Sequence, residues 1–476
     1  MQRVATWIVS VSPESLRVLW LRVHASPLGH RLARGTFWVV SGSVLSRVLG
    51  LTSSIVLARI IGKVPFGELT TIQSTAGLFG AFAGLGIGIT ATKYVAEFRE
   101  SETARCGRVL GFSLGAALVG GILAGLGLLL FGGWLATHTL AAPQLAPLLR
   151  IGAGLVVFGA LQGAYLGALS GFEAFKQVCW VICISSIIGV PMAIIGTLWA
   201  GLDGAVWALV LQSVLGCVYG HAALMKEAAK AGVKISFALS LQEWGMLWRF
   251  TLPSFLSTML ATPAAWLART LLLNQPDGYA EAAIVSAANQ WMNLVNFLPW
   301  TMGGVLVPIF ANLYATGRRD EFMKLLRNNL VLNAGVALAL ALPLMIFSSW
   351  ILGCYGPGFS EGVPIFFVTM LCGVFVALNN LFSRATQSAG RAWIDFTSNG
   401  LWAFVIVAGS WPLVHYFKGL GLVAAQAIAA VMLLVWQWVV VRRLLEGQQR
   451  LNSSAPVGHC QNKQQRGKNS MSDSNF

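Results

Sequence analysis

The chain has 476 residues, of which 56% are hydrophobic and only 10% are charged. Soluble globular domains carry roughly 25% charged residues, so this composition excludes a water-soluble globule. The 32 Lys and Arg outnumber the 17 Asp and Glu and give a net charge of +15, which in a soluble protein would suggest nucleic acid as a partner. The 7 cysteines include no CxxC pair, so the sequence predicts neither a disulfide framework nor a metal site.

Apolar runs broken by charged residues, Gly and Pro predict about twelve membrane helices. In chain order, the helices of the first half lie near residues 35–61, 66–92, 109–133, 148–170, 177–199 and 203–225. The helices of the second half lie near residues 248–273, 279–305, 328–352, 361–383, 392–416 and 419–441. The predicted fold class is therefore an all-α polytopic membrane protein.

These runs divide the chain into five parts. The predicted order is a cytoplasmic amphipathic segment (1–34), a six-helix bundle (35–226), a cytoplasmic linker (227–247), a second six-helix bundle (248–445) and a disordered cytoplasmic tail (446–476). We do not expect a cleaved signal peptide, because Arg17 and Arg22 lie between the short apolar stretch and the small-residue site near Ala25.

The basic residues indicate the orientation of the helices. Most Lys and Arg outside the helices lie in the two termini and in the connections that follow even-numbered helices, and only Lys63, Arg150 and Lys418 lie on the opposite side. The positive-inside rule therefore predicts a multi-pass protein of the bacterial plasma membrane with both termini in the cytoplasm. This placement accounts for most of the basic excess, so nucleic acid is not expected as a partner.

Short sequence words recur in the same order in the two halves. Each match is weak alone, but four in register indicate duplication of a six-helix unit; two of them are Leu57-Ala58-Arg59 with Leu267-Ala268-Arg269, and Gly204-Ala205-Val206-Trp207-Ala208 with Gly421-Leu422-Val423-Ala424-Ala425. Because six is an even number, the copies run parallel, related by a pseudo-two-fold axis along the membrane normal. Repeats of this kind place a transporter's substrate site at the interface between the halves.

Three arginines lie within predicted helices. Arg47 lies near the bilayer midplane, where an arginine costs at least ~2.5 kcal/mol unless it faces water, an acidic partner or an anionic substrate. No acidic residue lies at a matching depth, so we interpret Arg47 as a ligand for an anionic substrate, with a buried structural pair as the alternative. Arg59 and Arg269 lie near the outer ends of their helices, where snorkelling to the headgroups is an equal alternative. Guanidinium groups suit a diphosphate because they form bidentate hydrogen bonds to phosphate oxygens.

The predicted helix 279–305 carries a polar stripe on one face. Spacings of three and four residues connect Ser286, Asn289, Asn293, Asn296 and Trp300, with Gln290 at the edge. Asn side chains match sugar hydroxyls, and Trp presents a flat face to a sugar ring. The stripe therefore predicts the wall of a sugar-binding cavity, with hydrogen-bonded helix packing as the alternative.

The corresponding face of the predicted helix 66–92 carries only small residues. These residues could provide room in the same cavity, or could pack closely against a neighbouring helix through Gly80, Gly84 and Gly88. Close packing is at least as good an interpretation as room for a substrate.

Carboxylates within the predicted helices are few. Glu68 and Glu281 lie near the outer ends of their helices and could form an outer gate with Arg59 and Arg269, although solvation at the interface is the simpler interpretation. None lies convincingly at the midplane, so proton or sodium coupling receives no assigned site. No metal and no other cofactor is predicted.

Three segments resemble those of polysaccharide flippases of the O-antigen type, in the multidrug/oligosaccharidyl-lipid/polysaccharide exporter superfamily: Ser46-Arg47-Val48-Leu49-Gly50, Ala58-Arg59-Ile60-Ile61-Gly62 and Ala91-Thr92-Lys93-Tyr94-Val95-Ala96-Glu97. The resemblance covers roughly residues 35–445 and implies two six-helix bundles in a V around a central cavity, used in alternating access. The first two segments are also similar to those of lipid II flippases, which implies that Arg47, Arg59 and Arg269 contact a substrate diphosphate. The lipid II type has an extra helix pair that this chain lacks, which favours an oligosaccharide repeat unit as substrate.

The expected function is therefore translocation of polyprenyl-diphosphate-linked oligosaccharide repeat units for O-antigen, capsule or exopolysaccharide synthesis. Expected partners are this substrate, membrane lipids, a polysaccharide polymerase and assembly proteins. One alternative is a multidrug or organic-ion exporter, against which the cationic Arg47 argues. Another is a membrane polymerase or glycosyltransferase, against which the lack of acidic residues in the connection 134–147 argues, so we do not expect an enzyme. A major facilitator would carry a Gly-xxx-Asp-Arg pattern between the second and third helices, and this chain does not.

Overall fold

A computed structural model of the chain describes residues 27–84, 86–237, 252–389 and 392–454. All regular structure in these ranges is helical, as predicted. Most of the predicted amphipathic segment, part of the predicted linker and most of the predicted tail lie outside the described residues.

The helices of the first half are α1 (Pro27–Ile61), α2 (Lys63–Gly84), α3 (Ile87–Phe98), α4 (Thr103–Trp134), α5 (Ala146–Gly171) and α6 (Phe175–Lys230). Those of the second half are α7 (Leu252–Leu273), α8 (Gly278–Ala315), α9 (Arg319–Ile346), α10 (Ser348–Tyr355), α11 (Val363–Ser388) and α12 (Ala392–Ser454). Short helical turns lie at Leu135–Thr139, Pro143–Leu145 and Phe359–Gly362.

The predicted number of membrane spans agrees with the lengths and breaks of these helices. Within the described ranges, 7 helices are long and apolar enough to cross a membrane, and two bent pairs bring the number to 9. Two of the long helices, α6 and α12, contain a break and provide two spans each, and the shorter apolar helix Met259–Leu273 is also available. Together these give about twelve spans, as an all-α polytopic fold requires.

Several helices extend beyond the predicted spans. α1 begins eight residues before the predicted start at 35, α9 begins at Arg319 rather than 328, and α8 continues to Ala315. Apolar runs mark only the part of a helix that lies in hydrocarbon, whereas Arg, Lys, Glu and Gln continue a helix readily into water. The sequence pattern therefore located the spans better than it located the helix ends.

The two halves pack in the same way. In the first half, α5 contacts α2, α3, α4 and α6, and α1 packs along α6. In the second half, α11 contacts α8, α9 and α12, and α7 packs along α12. The central helix of each half is thus the fourth span of its repeat, and the first and last helices of each repeat are neighbours. This arrangement supports the predicted duplication.

Equivalent backbone breaks in α6 and α12 also support the duplication. Gly201 in α6 has φ 57° and ψ −129°, and Lys418 in α12 has φ 48° and ψ −125°. Just beyond each break, a glycine allows the helical segments before and after the break, its two arms, to approach each other. A Cβ at Gly204 would overlap the carbonyl oxygen of Gly196, and a Cβ at Gly421 would overlap that of Leu413. The matching words around Gly204 and Gly421 therefore record the same tight helical hairpin in each half.

Candidate substrate cavity between the two halves

The two halves meet at one end of the molecule, which we call the closed end. Phe66 at the start of α2 packs against Tyr355 and Phe359 of the second half, with ring centroids 6.3 Å and 6.2 Å apart, and all three side chains are buried. Beside them, the α2 and α8 backbones touch, since a Cβ at Gly67 would overlap the carbonyl oxygen of Tyr279. The opposite end, to which most Lys and Arg of the connections belong, is called the basic end.

Polar contacts at the rim reinforce the closed end. Lys63 Nζ donates to the carbonyl oxygen of Gly358 at 2.9 Å and pairs with Glu361 at 3.2 Å. The Tyr279 hydroxyl donates to the carbonyl oxygen of Leu140 at 2.7 Å. Each of these contacts joins a first-half residue to a second-half residue, so the α1–α2 turn and the segment after α4 both contact the second half.

Arg269 lies inside the closed end and connects the halves. Its Nη2 donates to Thr70 Oγ1 at 2.7 Å and to Thr71 Oγ1 at 3.4 Å, and its Nη1 donates to Ser286 Oγ at 3.0 Å. One turn deeper, Trp266 Nε1 donates to Thr75 Oγ1 at 3.1 Å. Arg269 therefore does not snorkel to the headgroups in this conformation, and Ser286 belongs to the sealed layer between the halves rather than to an open cavity wall.

Arg47 lies just beyond this sealed layer, in the cleft between α1 and α8. It is fourteen residues from the end of α1 at Ile61, or about 21 Å along the helix axis. Its side chain is exposed; Nη1 donates to the backbone carbonyl of Asn293 at 3.3 Å, and its guanidinium carbon lies 4.7 Å from the centroid of the Phe297 ring. Among the described residues no carboxylate pairs with it. Arg47 is an exposed cation whose contacts are neutral groups.

The predicted polar stripe on α8 divides between two environments. Asn293 is exposed beside Arg47, and Trp300, seven residues further on the same face, is 51% exposed. Asn296 is buried, donates from Nδ2 to the Met292 carbonyl at 3.0 Å, and faces Gly373 of α11 within its own half. Cavity wall is therefore the better interpretation for Asn293 and Trp300, and helix packing for Asn296.

In the part of the stripe nearer the closed end, two residues have a buried oxygen without a hydrogen-bond partner in the described part of the chain. These oxygens are Asn289 Oδ1 and Gln290 Oε1. Gln290 lines a cavity of about 220 Å³ that reaches into the first half as far as Ser46 and Gly50 of α1. Buried amide oxygens of this kind are costly unless water or a ligand reaches them.

The predicted outer gate of ion pairs is not formed here. Within the described ranges, neither Arg59 nor Arg269 pairs with Glu68 or Glu281. Glu68 accepts a hydrogen bond from Gln144 Nε2 at 3.1 Å, and Arg59 is exposed beside Gly356 at the end of α1. Neutral hydroxyls of Thr70, Thr71 and Ser286 make the contacts with Arg269 that were expected from carboxylates.

The cavity at Gln290 is also lined by polar residues that were not predicted from the sequence. It is lined by hydroxyl and amide side chains of three first-half helices: Ser46, Ser53, Ser54, Gln73, Ser186 and Gln212. Ser46 Oγ lies 2.8 Å from Ser186 Oγ. The signal was available, because Ser46, Gly50 and Ser53 lie four and three residues apart on one face of α1. Serine and glycine hardly change hydropathy, which is why this face was overlooked.

The glycines of the predicted helix 66–92, which the structure divides into α2 and α3, also lie in two environments. Gly77, Gly80 and Gly84 have no atom within 4 Å of the position of a Cβ, and they line a cavity of about 400 Å³ in the first half. By contrast, a Cβ at Gly88 would lie 2.9 Å from the carbonyl oxygen of Gly163, and one at Gly167 would overlap Gly88. The first three glycines provide room, and Gly88 provides close packing of α3 on α5.

Known proteins are similar to this chain in sequence. The profile of the family described as "Polysaccharide biosynthesis protein" matches residues 32–314. The EPS I polysaccharide export inner membrane protein EpsE of Ralstonia solanacearum is 24% identical over 381 residues, which cover 78% of this chain and 84% of that protein. The lipid III flippase of Escherichia coli (strain K12) is 26% identical over 296 residues, which cover 61% of this chain and 69% of that protein.

Solved structures share the fold at low sequence identity. A multidrug resistance MATE family transporter of the MOP superfamily, in an inward-facing conformation, has a TM-score of 0.71 at 15% identity, covering 84% of this chain and 96% of its own. The lipid II flippase MurJ, in an inward closed conformation, has a TM-score of 0.67 at 14% identity, covering 85% of this chain and 87% of its own. These likenesses confirm the predicted class of fold. Since the family profile matches more than half of its residues, the chain belongs to the polysaccharide biosynthesis protein family.

Proposed function

We propose that this protein is a flippase that moves polyprenyl-diphosphate-linked oligosaccharide repeat units across the plasma membrane for surface polysaccharide synthesis. Membership of the polysaccharide biosynthesis protein family supports the substrate class. The relatives described as a polysaccharide export protein and as a lipid III flippase support the transport step.

The exposed guanidinium of Arg47 is the observation that carries the proposal. It lies in the cleft between the halves, its contacts are neutral, and exposed Asn293 and Trp300 lie on the facing helix. A diphosphate would satisfy the cation through charge-assisted bidentate hydrogen bonds, which are strong away from bulk water. Asn293 and Trp300 offer a hydrogen-bonding amide and a flat ring to the sugars that follow the diphosphate. The cleft thus matches the two polar parts of the substrate in order.

In this proposal the basic end is cytoplasmic, together with both termini, and the closed end faces outward. The conformation described here is then open to the cytoplasm and closed to the outside. The substrate enters from the cytoplasmic leaflet, its diphosphate reaches Arg47, and the contacts of Arg269 and Trp266 with α2 separate when the closed end opens. A polysaccharide polymerase and assembly proteins would receive the repeat unit in the outer leaflet.

The proposal requires no cofactor and no chemical catalysis. It leaves proton or sodium coupling as an expectation without an assigned site, since the contacts that join the halves around Arg269 involve hydroxyl groups rather than carboxylates. A multidrug exporter shares this fold, but cationic drugs would be repelled by an exposed Arg47 that no carboxylate in the described residues neutralises.

Substitution of Arg47 tests the proposal directly. Arg47→Ala removes both charge and planar fork and should abolish flipping, while Arg47→Lys keeps the charge and should retain a part of it. Arg150→Ala is the matched control, because it removes an exposed arginine outside the cleft. Flipping is measured in proteoliposomes loaded with a lipid-linked oligosaccharide, per molecule of inserted protein. Wild-type flipping by Arg47→Ala would overturn the role of Arg47.

A deletion strain tests the function itself. Loss of the gene, in a strain without a second flippase, should leave lipid-linked repeat units facing the cytoplasm and should stop surface polysaccharide synthesis. Unchanged surface polysaccharide, or increased drug sensitivity as the sole phenotype, would contradict the proposed substrate class and favour the multidrug exporter.

A further inference from the structure

A second guanidinium lies against the same face of α8 as Arg47, closer to the basic end. The guanidinium carbon of Arg384, on α11, is 5.5 Å from the centroid of the Trp300 ring on α8. The stem of Arg384 runs against α8, since a Cβ at Gly303 would lie 3.6 Å from its Cγ. These two contacts turn the side chain of Arg384 along α8 towards the half-exposed Trp300.

The two cations mark two depths along one face of α8. Arg47 contacts α8 at Asn293 and Phe297, and Arg384 contacts it at Trp300 and Gly303. Seven residues separate Asn293 from Trp300, so the two levels lie about 10 Å apart along the helix. Counted from the start of α8 at the closed end, Trp300 lies about 33 Å along the helix, close to the far surface of a ~30 Å hydrocarbon layer. A diphosphate in the leaflet at the basic end lies at this level.

Among the described residues, the guanidinium of Arg384 has the Trp300 ring as its close contact and Asp395 as a carboxylate that attracts it electrostatically. Asp395 is the acidic neighbour on α12, and its Oδ1 accepts hydrogen bonds from Ser383 at 2.9 Å and Thr386 at 3.3 Å. No carboxylate of the described residues forms an ion pair with Arg384. An arginine can place its face on an aromatic ring while the N–H groups at its edge bind an oxyanion. The arrangement on Trp300 therefore leaves the edge of the guanidinium available.

We propose that Arg384 and Trp300 form an entry site for the diphosphate of the lipid-linked substrate, at the basic end of the cleft and about 10 Å from Arg47. This inference rests on the proposed function. Arg384 binds the diphosphate at the level of the headgroups, and Arg47 receives it as the substrate moves inward. Trp300 then faces the sugar next to the diphosphate. The ligand class is a diphosphate on a long isoprenoid chain, as opposed to the single phosphate of an ordinary phospholipid.

Binding measurements on the full chain in lipid nanodiscs test this entry site. The probes are polyprenyl diphosphate, polyprenyl monophosphate and phosphatidylglycerol, each titrated and detected by native mass spectrometry. Arg384→Ala should weaken polyprenyl diphosphate binding about tenfold, the loss expected for one charge-assisted contact, and should leave phosphatidylglycerol binding unchanged. The affinity of Arg384→Lys for polyprenyl diphosphate should lie between those of Arg384→Ala and wild type.

Arg442→Ala is the matched control. Arg442 is exposed near the basic end of α12, and its guanidinium carbon lies 4.6 Å from the centroid of the Trp438 ring on its own helix. The control therefore removes the same kind of Arg–Trp contact at a position on α12. It should bind all three probes like wild type. Should Arg384→Ala lower the amount of inserted protein, the comparison is made between Arg384→Lys and Arg442→Lys.

Equal affinity of the Arg384 and Arg442 variants for polyprenyl diphosphate would overturn the entry site. Equal loss of phosphatidylglycerol binding would overturn it as well, because Arg384 would then be a general headgroup contact. Failure of the proposed function looks different. In that case wild type itself would bind polyprenyl diphosphate no better than phosphatidylglycerol, and Arg47→Ala would change nothing.

Discussion

Replacing Arg269 with methionine should weaken the closed end without unfolding the protein. The guanidinium donates to Thr70 and Thr71 across the halves and to Ser286 within its own half. Each hydroxyl keeps a second bond in its own helix after the substitution, because Thr70 and Thr71 also donate to the Gly67 carbonyl and Ser286 donates to the Ala282 carbonyl. No buried partner is stranded, so normal insertion into the membrane is expected.

The size of the effect follows from the contacts that cross the halves. The bond to Thr70 is 2.7 Å long, and the bond to Thr71, at 3.4 Å, adds little. Hydrogen bonds to charged groups contribute about 1.5–3 kcal/mol in soluble proteins, and interhelical bonds in membranes average about 0.6 kcal/mol. We therefore expect a loss of about 1–2 kcal/mol. That corresponds to a change of roughly 5- to 30-fold in the ratio of closed to open molecules.

Distance measurements between spin labels detect this change. Thr137 and Pro276 are exposed and lie at the closed end on opposite halves, so they are suitable label positions in a background without native cysteines. In Arg269→Met the longer distance should gain population. The control is Arg59→Met at the repeat-equivalent position. Arg59 is exposed, so this substitution should leave the distance distribution unchanged. A distribution for Arg269→Met identical to that of wild type would refute the assignment of Arg269 as a contact that holds the closed end together.

Three further predictions follow from positions that look alike in sequence. Asn293→Leu should reduce flipping at a normal protein level, whereas Asn296→Leu should reduce the protein level. Inserted protein and flipping are measured together for each variant, and parallel losses of protein and flipping in both variants would contradict the division of the stripe. Gly80→Val should be inserted normally because it extends into a cavity, and Gly167→Val should not, since its side chain would overlap the α3 backbone; equal yields would contradict this packing. Gly421→Val should lower the yield of monodisperse protein in size-exclusion chromatography by forcing apart the arms of α12, and an unchanged yield would show that the hairpin is less tight.

The sequence predicted the spans and the duplication because both depend on local patterns. Apolar runs locate the spans, and the recurring glycines near 204 and 421 identify the repeated hairpin. The sequence could not separate Asn293 from Asn296, since residues three apart on a helix differ by only about 60° in direction. One faces the cleft and the other faces α11, and only the position of α11 distinguishes them.

The same limit explains the two repeat-equivalent arginines. Arg59 and Arg269 occur in the same three-residue word and at the same predicted depth, yet Arg59 is exposed and Arg269 is hydrogen-bonded between the halves. The difference comes from hydroxyls of α2 that are about 200 residues away in sequence, and hydropathy contains no information about them. Arg384 was missed for a related reason, because its position near a helix end resembles that of any snorkelling arginine.

The neighbouring first and last helices of each half have a consequence for chain connectivity. Since α1 packs along α6 and α7 packs along α12, each half closes on itself without help from the covalent link between them. Fragments 1–237 and 252–476, expressed together, should therefore reassemble in the membrane. The link mainly sets the effective concentration of one half near the other, and complementation by the cut protein should depend on the expression level of both fragments.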